Sequence, residues 1–229
     1  MLGVLVNTLT VIAGSLVGLL CKRGIPRKLT DAVMIGIGLC TIYIGIAGVL
    51  KGQNTLILIV SIVLGAIVGT ALDIDGAIAR LGGWVERRFP QGDGKTSVAQ
   101  GFVTASLLFC VGSMTVVGSL NAGISGDNRM LYTKSMLDLV SSMMLSASLG
   151  VGVLCAAVFV LVFQGALVLL SGVLAPALTD AAIAEMTCAG SLLILALGLN
   201  LIGVTKIKVA NYLPALVFAP LVCWVVSLF

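Results

Sequence analysis

The fold class this sequence predicts is all-α, a polytopic transmembrane helical bundle, and three observations predict it. Of 229 residues, 59% are apolar and only 10% are charged, against roughly 45–50% and about 25% in an ordinary soluble domain. Apolar runs long enough to cross a bilayer recur along the chain, each bounded by charge or turn residues. Glycine is abundant, at 28 residues, while aromatics make up 5%. That balance suits close packing of helices in lipid through small residues.

A bilayer core about 30 Å thick takes about 20 helical residues to cross. Clear spans are expected at 3–20, 29–50, 55–72, 98–120, 181–204 and 209–228. The first has no basic region ahead of it. Leu20, before Cys21, is not the small residue a cleavage site needs, so this segment reads as a retained span. The basic segment 21–28 separates the first two spans, and Lys51-Gly52-Gln53-Asn54 is a tight turn after the second. Residues 73–97 form the longest polar stretch. Within it Ile78, Leu81, Trp84, Val85 and Phe89 recur at helical spacing among Arg80, Glu86, Arg87 and Arg88. This predicts an amphipathic helix at about 76–90 lying in the membrane interface. Pro90-Gln91-Gly92-Asp93-Gly94 ends it.

Residues 121–133 read as a polar loop. The apolar run from Lys134 to Leu149 carries Lys134, Asp138 and several serines; Gly150-Val151-Gly152 follows, then a clean apolar run to Leu170. One long broken helix and two short membrane elements both fit this stretch. Three or four helical elements between 98 and 170, arranged as a pair of spans plus a broken or re-entrant piece, bring the total to seven to eight spans in one integral membrane domain, 1–229.

The 21–28 and 73–97 loops are rich in Lys and Arg, which places both in the cytoplasm and the N-terminus outside. The 171–180 loop has no basic residue, while Lys206 and Lys208 mark 205–208 as cytoplasmic. There is also an internal echo. Leu29-Thr30-Asp31-Ala32 is repeated as Leu178-Thr179-Asp180-Ala181, and Gly45 has a counterpart in Gly198. Repeat-like halves of about 1–75 and 150–229, joined by 76–149, would face opposite ways, as inverted repeats of transporters do. Two ordinary helix starts would produce the same echo.

The net charge of +4 lies in short loops and does not indicate nucleic-acid binding. The six cysteines form no C-x-x-C pair and read as small apolar residues. No cofactor or metal site is expected. The chain has no histidine, which removes Ser–His hydrolysis and His-ligated metals, and it has no phosphate-loop or nucleophile-elbow motif. Asp31 and Asp180 look like helix starts, leaving one aspartate inside an apolar run where an intramembrane protease needs two. No catalytic residues are therefore expected.

Ionisable groups in a bilayer are costly and usually face a cavity or a partner. Lys134 and Asp138 are four apart and share a helix face, which Ser142 extends and Ser141 borders. Oxygen ligands of this kind suit a hard monovalent cation or a proton relay. An interfacial surface pair with packing serines is the other reading. Asn7, Gln164, Asn200 and Asn211 also sit in apolar context, as neutral ligands or as interhelical glue. Pro214 and Pro220 interrupt the last span and free backbone carbonyls. Gly14-x-x-x-Gly18 and Gly65-x-x-x-Gly69 allow close helix packing, within one chain or in a homo-oligomer. Met130, Met136, Met143 and Met144 read as packing.

Several stretches resemble a known family: Val6-Asn7 with Gly14 and Gly18, Phe109-Cys110-Val111-Gly112-Ser113-Met114, Ser125-Gly126-Asp127, Thr133-Lys134-Ser135-Met136-Leu137-Asp138, and Ala210-Asn211-Tyr212-Leu213-Pro214-Ala215. Together they resemble the bacterial membrane proteins of domain of unknown function family 554, the YqgA/YdfK-like proteins. The resemblance covers nearly the whole chain. It implies a bacterial inner (cytoplasmic) membrane protein and assigns no reaction.

The function expected is transport of a small solute or monovalent cation, with Asp138, Lys134, Ser141, Ser142, Asn7, Asn200 and Asn211 along the pathway. A membrane scaffold, or a subunit of a larger complex, is the alternative, and an ion channel is the third. The lipid bilayer is the expected surrounding in every case.

Overall fold

The computed structural model describes residues 1–22, 27–88, 97–174 and 178–227. Every regular element there is a helix. In order they are α1 (Leu2–Lys22), α2 (Arg27–Val49), α3 (Thr55–Ala71), α4 (Ile74–Arg88), α5 (Val98–Cys110), α6 (Ser113–Ile124), α7 (Arg129–Leu149), α8 (Val151–Leu169), the short α9 (Ser171–Leu174), α10 (Asp180–Leu201) and, after a 3-10 turn at Val209–Tyr212, α11 (Ala215–Val226). The 23–26 part of the first basic loop, the Pro90–Gly94 turn and Pro176 lie outside the described residues.

Local signals set several helix starts. The side chains of Asn54, Ser97 and Thr179 accept the backbone N–H groups of Leu56, Gln100 and Ala182. Each satisfies one of the donors that a first helical turn leaves free. Between α7 and α8 the chain turns at Gly150, whose φ is 78°. A side chain there would be strained, so only glycine turns the chain that tightly at low cost.

By length and composition four helices can cross a membrane, or up to six if each of two bent pairs is one span. The seven to eight spans expected from sequence exceed this by α2 and α7. Of α2 the described apolar part is Met34–Val49. Helix α7 matches α1 at 21 residues but carries a polar face. That face is turned inward, with Lys134, Ser135, Asp138, Ser142 and Ser146 all buried. Met136, Leu137, Val140 and Met144 point outward instead. The helix is inside-out by the standard of a soluble protein, as a polar helix surrounded by lipid should be.

Small residues set the helix pairing. Helices α1 and α7 run parallel: Gly3 lies against Leu131, Gly14 against Leu139 and Ser142, and Gly18 against Met143 and Ser146. Helices α2 and α10 run antiparallel, with Gly38 against Ile202, Gly45 against Leu195, Gly48 against Ser191 and Gly52 against Cys188. Helices α3 and α11 are also antiparallel, with Gly65 against Ala215 and Gly69 against Asn211. Side chains at Gly14, Gly18, Gly65 or Gly69 would collide with neighbouring backbone. Both sequence-predicted glycine pairs therefore pack helices within one chain.

Two bends interrupt the bundle. Helix α4 leaves α3 at 55°. It turns Ile74 and Ile78 toward the core and exposes Leu81 and Trp84. Helices α5 and α6 are bent by 60°. Gly101 of α5 meets the α7–α8 junction at Leu149 and Gly152, while Gly123 of α6 meets the end of α8 at Val168 and the start of α9 at Ser171. The bent pair thus keeps one direction along the full length of α8.

Candidate functional site

The site lies where the α5–α6 break meets the polar face of α7. Lys134 and Asp138, one helical turn apart, form an ion pair whose side chains are each 8% exposed. Removing an ion from water costs several kcal/mol even after the surroundings relax, so each partner depends on the other. The Lys134 Nζ also sits 5.9 Å from the centre of the Phe109 ring, within range of a cation–π contact. Phe109 is one residue from the end of α5, and its carbonyl accepts a 3.0 Å hydrogen bond from Thr115 Oγ1 across the break. The break therefore presents both a ring face and bridged backbone beside the ion pair.

A second polar pair closes this cluster from α1 and α8. Asn7 Nδ2 donates to Gln164 Oε1 at 3.2 Å, and both residues are fully buried. The Asn7 amide also neighbours the Asp138 carboxyl. Asn7 Oδ1 and Gln164 Nε2 have no hydrogen-bond partner among the described residues. A buried polar atom without a partner costs about 1–3 kcal/mol. Orphaned atoms at a polar cluster are a place where a ligand or water has something to bind.

Asp138, though buried, is among the residues lining a cavity of about 450 Å³ between α2, α5 and α7. Ile37, Thr41 and Ile44 of α2, Leu108 and Phe109 of α5, and Ser141 and Met144 of α7 contribute to its walls. Asp138 is its one ionisable carboxylate, and the lining is mostly apolar. A volume of this size falls inside the roughly 300–1,000 Å³ range of small-molecule pockets.

The sequence-predicted residues divide accordingly. Asp138 and Ser141 line the cavity, Lys134 pairs with Asp138, and Asn7 stands beside it. Ser142 packs on Gly14 and donates to the Leu139 carbonyl, so it serves the α1–α7 seam. Asn200 donates to the Ile207 carbonyl at 2.7 Å and accepts from Thr205 Oγ1 and Ile207 N, which fastens the turn after α10. Asn211 accepts from the Asp75 backbone N–H at 2.8 Å, tying the last segment to α4. Neither asparagine joins the Asp138 cluster. Asn200 lines a separate cavity of about 370 Å³ together with Asp75, Gln100, Thr205, Lys206 and Lys208.

Two residues escaped the sequence reading of the site. Phe109 supplies the ring face, and only its place in the family-like run marked it. Glu185 is 2% exposed, and its Oε1 accepts the Gln53 and Asn54 N–H groups at 2.8 Å each. It clamps the α2–α3 turn to α10. A lone acid in the apolar 181–204 run was the available signal.

A family profile described as "Protein of unknown function (DUF554)" matches residues 2–224. The chain is 32% identical over 233 residues to the "Uncharacterized membrane protein YdfK" of Bacillus subtilis (strain 168), covering 100% of this chain and 98% of the relative. It is 28% identical over 221 residues to the "Uncharacterized protein YqgA" of Escherichia coli (strain K12), covering 95% and 94%. No solved structure matches. An all-helical membrane protein matched from end to end by that family, this chain belongs to the DUF554 family.

Proposed function

We propose that this protein is an inner-membrane transporter of a small solute or cation, with Asp138 as its binding carboxylate. The observation that carries the reading is a buried Lys134–Asp138 pair whose carboxylate forms the wall of a cavity at a broken helix. A purely structural bundle has no need to bury a charge pair beside a cavity. Discontinuous helices near the middle of a bundle are how many carriers build their sites.

The helix directions support eight crossings with the N-terminus outside. Helix α7 parallels α1, α8 parallels the bent α5–α6 pair, and α10 and α11 oppose α2 and α3. Strict alternation through α1, α2, α3, α5–α6, α7, α8, α10 and α11 gives those directions. It also leaves the basic 21–28, 73–97 and 205–208 segments on one side, as the positive-inside rule requires.

The same pairings support an inverted repeat. When a two-fold axis relates two helices that pack together, the residues at their crossing are counterparts. Gly45 meets Leu195 and Gly65 meets Ala215, each pair 150 residues apart. Val11 and Val160 share one core cluster at a separation of 149, the same as the two Leu-Thr-Asp-Ala copies. The Gly38–Ile202 contact recurs as its image, Cys188–Gly52. In this register the counterpart of Gly198 is Gly48, not Gly45. Helices α1, α2 and α3 then correspond to α8, α10 and α11, with opposite orientation.

The test is the melting midpoint of the purified protein against a panel of inorganic ions and small metabolites, with Asp138→Asn beside it. A binder of the native state raises the midpoint with concentration. A dose-dependent rise that the variant loses is expected. A flat response from both well-folded proteins across the panel would favour the scaffold.

A further inference from the structure

We propose that the cavity beside Asp138 takes a primary ammonium carried on an apolar body, its head group occupying the place Lys134 now holds. This rests on the reading of Asp138 as the solute-binding carboxylate and names the solute's chemistry.

The donor set argues against a bare inorganic cation. Hard cations want about six oxygen ligands in a compact shell. This cavity offers one carboxylate and the hydroxyl oxygens of Ser141 and Thr41, fewer than such a shell needs. The remaining walls are aliphatic, aromatic or thioether surface, including Ile37, Ile44, Leu108 and Met144. Such walls gain from covering hydrocarbon and cannot replace a hydration shell. A carboxylate in the wall of an apolar cavity matches a molecule with one positive end and an apolar remainder.

The chain also contains its own template for the complex. Lys134 is a primary ammonium on a four-carbon stem. Its Nζ is paired with Asp138 and lies over the Phe109 ring. Carboxylate and ring face are the two groups that recognise an alkylammonium, and Asp138 and Phe109 both line the cavity, which Lys134 does not. A ligand ammonium entering this cavity comes to Asp138 as one of its lining residues. It replaces one cation by another, so the buried carboxylate is never left unpaired. The displaced Lys134 then needs a new acceptor. Asn7, fully buried beside the pair, carries a carbonyl oxygen without a donor among the described residues.

The experiment is a melting titration of the full chain in detergent with hexylammonium chloride, hexanol, sodium chloride and potassium chloride. Cys40→Trp fills the cavity from α2 at an exposed position and accompanies Asp138→Asn and Lys134→Gln. Hexylammonium is expected to raise the midpoint saturably, while hexanol and the inorganic salts do not. Cys40→Trp and Asp138→Asn should each weaken the response by about tenfold or more, a loss of about 1.4 kcal/mol. Lys134→Gln removes the internal competitor and should bind hexylammonium about tenfold more tightly. Equal responses to hexylammonium and hexanol, or an undiminished response in Cys40→Trp, would overturn the proposal. So would weakened binding in a folded Lys134→Gln. An Asp138-dependent response to sodium or potassium alone would sink the ammonium but leave the transport reading standing; no response to any of the four, nor to the wider panel, would remove both.

Discussion

The cavity beside Asp138 and the cavity beside Asn200 are similar in size, about 450 Å³ and about 370 Å³, yet they use their polar residues in opposite ways. In the second, the Asn200 side chain is already bonded within the chain. It makes three hydrogen bonds to the turn it fastens, and the lysines nearby are exposed to solvent. Around Asp138 the ion pair is buried, the walls are mostly apolar, and Asn7 and Gln164 keep atoms without partners among the described residues. Beside Asn200 the asparagine is satisfied without a ligand. The Asp138 arrangement buries an ion pair beside polar atoms that the described residues leave unsatisfied. An asparagine in an apolar span is therefore a poor guide by itself; what matters is whether its hydrogen bonds are already used.

The comparison breaks most easily at the ion pair. Asp138→Leu or Lys134→Met alone strands a buried charge and should destabilise by about 3–5 kcal/mol, read as a lower melting midpoint. The double variant, Lys134→Met with Asp138→Leu, should recover that loss while abolishing every ligand response. Buried pairs replaced by apolar groups of similar size commonly return to parity or better. A double variant as unstable as the singles would mean that the pair organises the fold.

Next in size is Glu185. Its Ala variant loses two charge-assisted bonds to the α2–α3 turn and should fall by about 2–4 kcal/mol, taking each bond at about 1.5–3 kcal/mol and allowing for relaxation. Hydrogen exchange at Gln53 and Asn54 would localise the loss. Asn200→Ala should cost about 1–3 kcal/mol through the freed turn groups, with no change in ligand response. A lost response in that variant would erase the distinction between the cavities. The smallest effect is expected at Lys206→Gln. This exposed side chain should change stability by less than about 0.5 kcal/mol and leave ligand response intact.

The sequence carried the architecture well where one dimension suffices. Span positions follow from apolar length, and helix starts follow from Asn54, Ser97 and Thr179. The amphipathic α4 follows from the spacing of Ile78, Leu81 and Trp84. The Lys134–Asp138 pair was legible because four residues is one helical turn. Its surroundings were not, because Asn7, Phe109 and Gln164 come from three other helices and meet only through the glycine seams. Asn200 looked buried in its span because the apolar pattern runs on to Ile202, whereas α10 ends at Leu201 and the chain turns at Gly203, with φ 80°. Glu185 passed unnoticed since its partners are backbone N–H groups, which leave no pattern in sequence.

The central claim is that the Asp138 cavity moves a solute across the membrane. The direct measurement is flux into proteoliposomes holding either the native chain or the Lys134→Met/Asp138→Leu double variant, matched for melting midpoint. Sodium, potassium and hexylammonium gradients would be applied in turn, with internal pH followed by a trapped dye. The account predicts a saturable flux of at least one of these cations through the native protein and vesicle-background leakage through the variant. Background leakage through both proteins, with every gradient, would contradict it and leave a scaffold in its place.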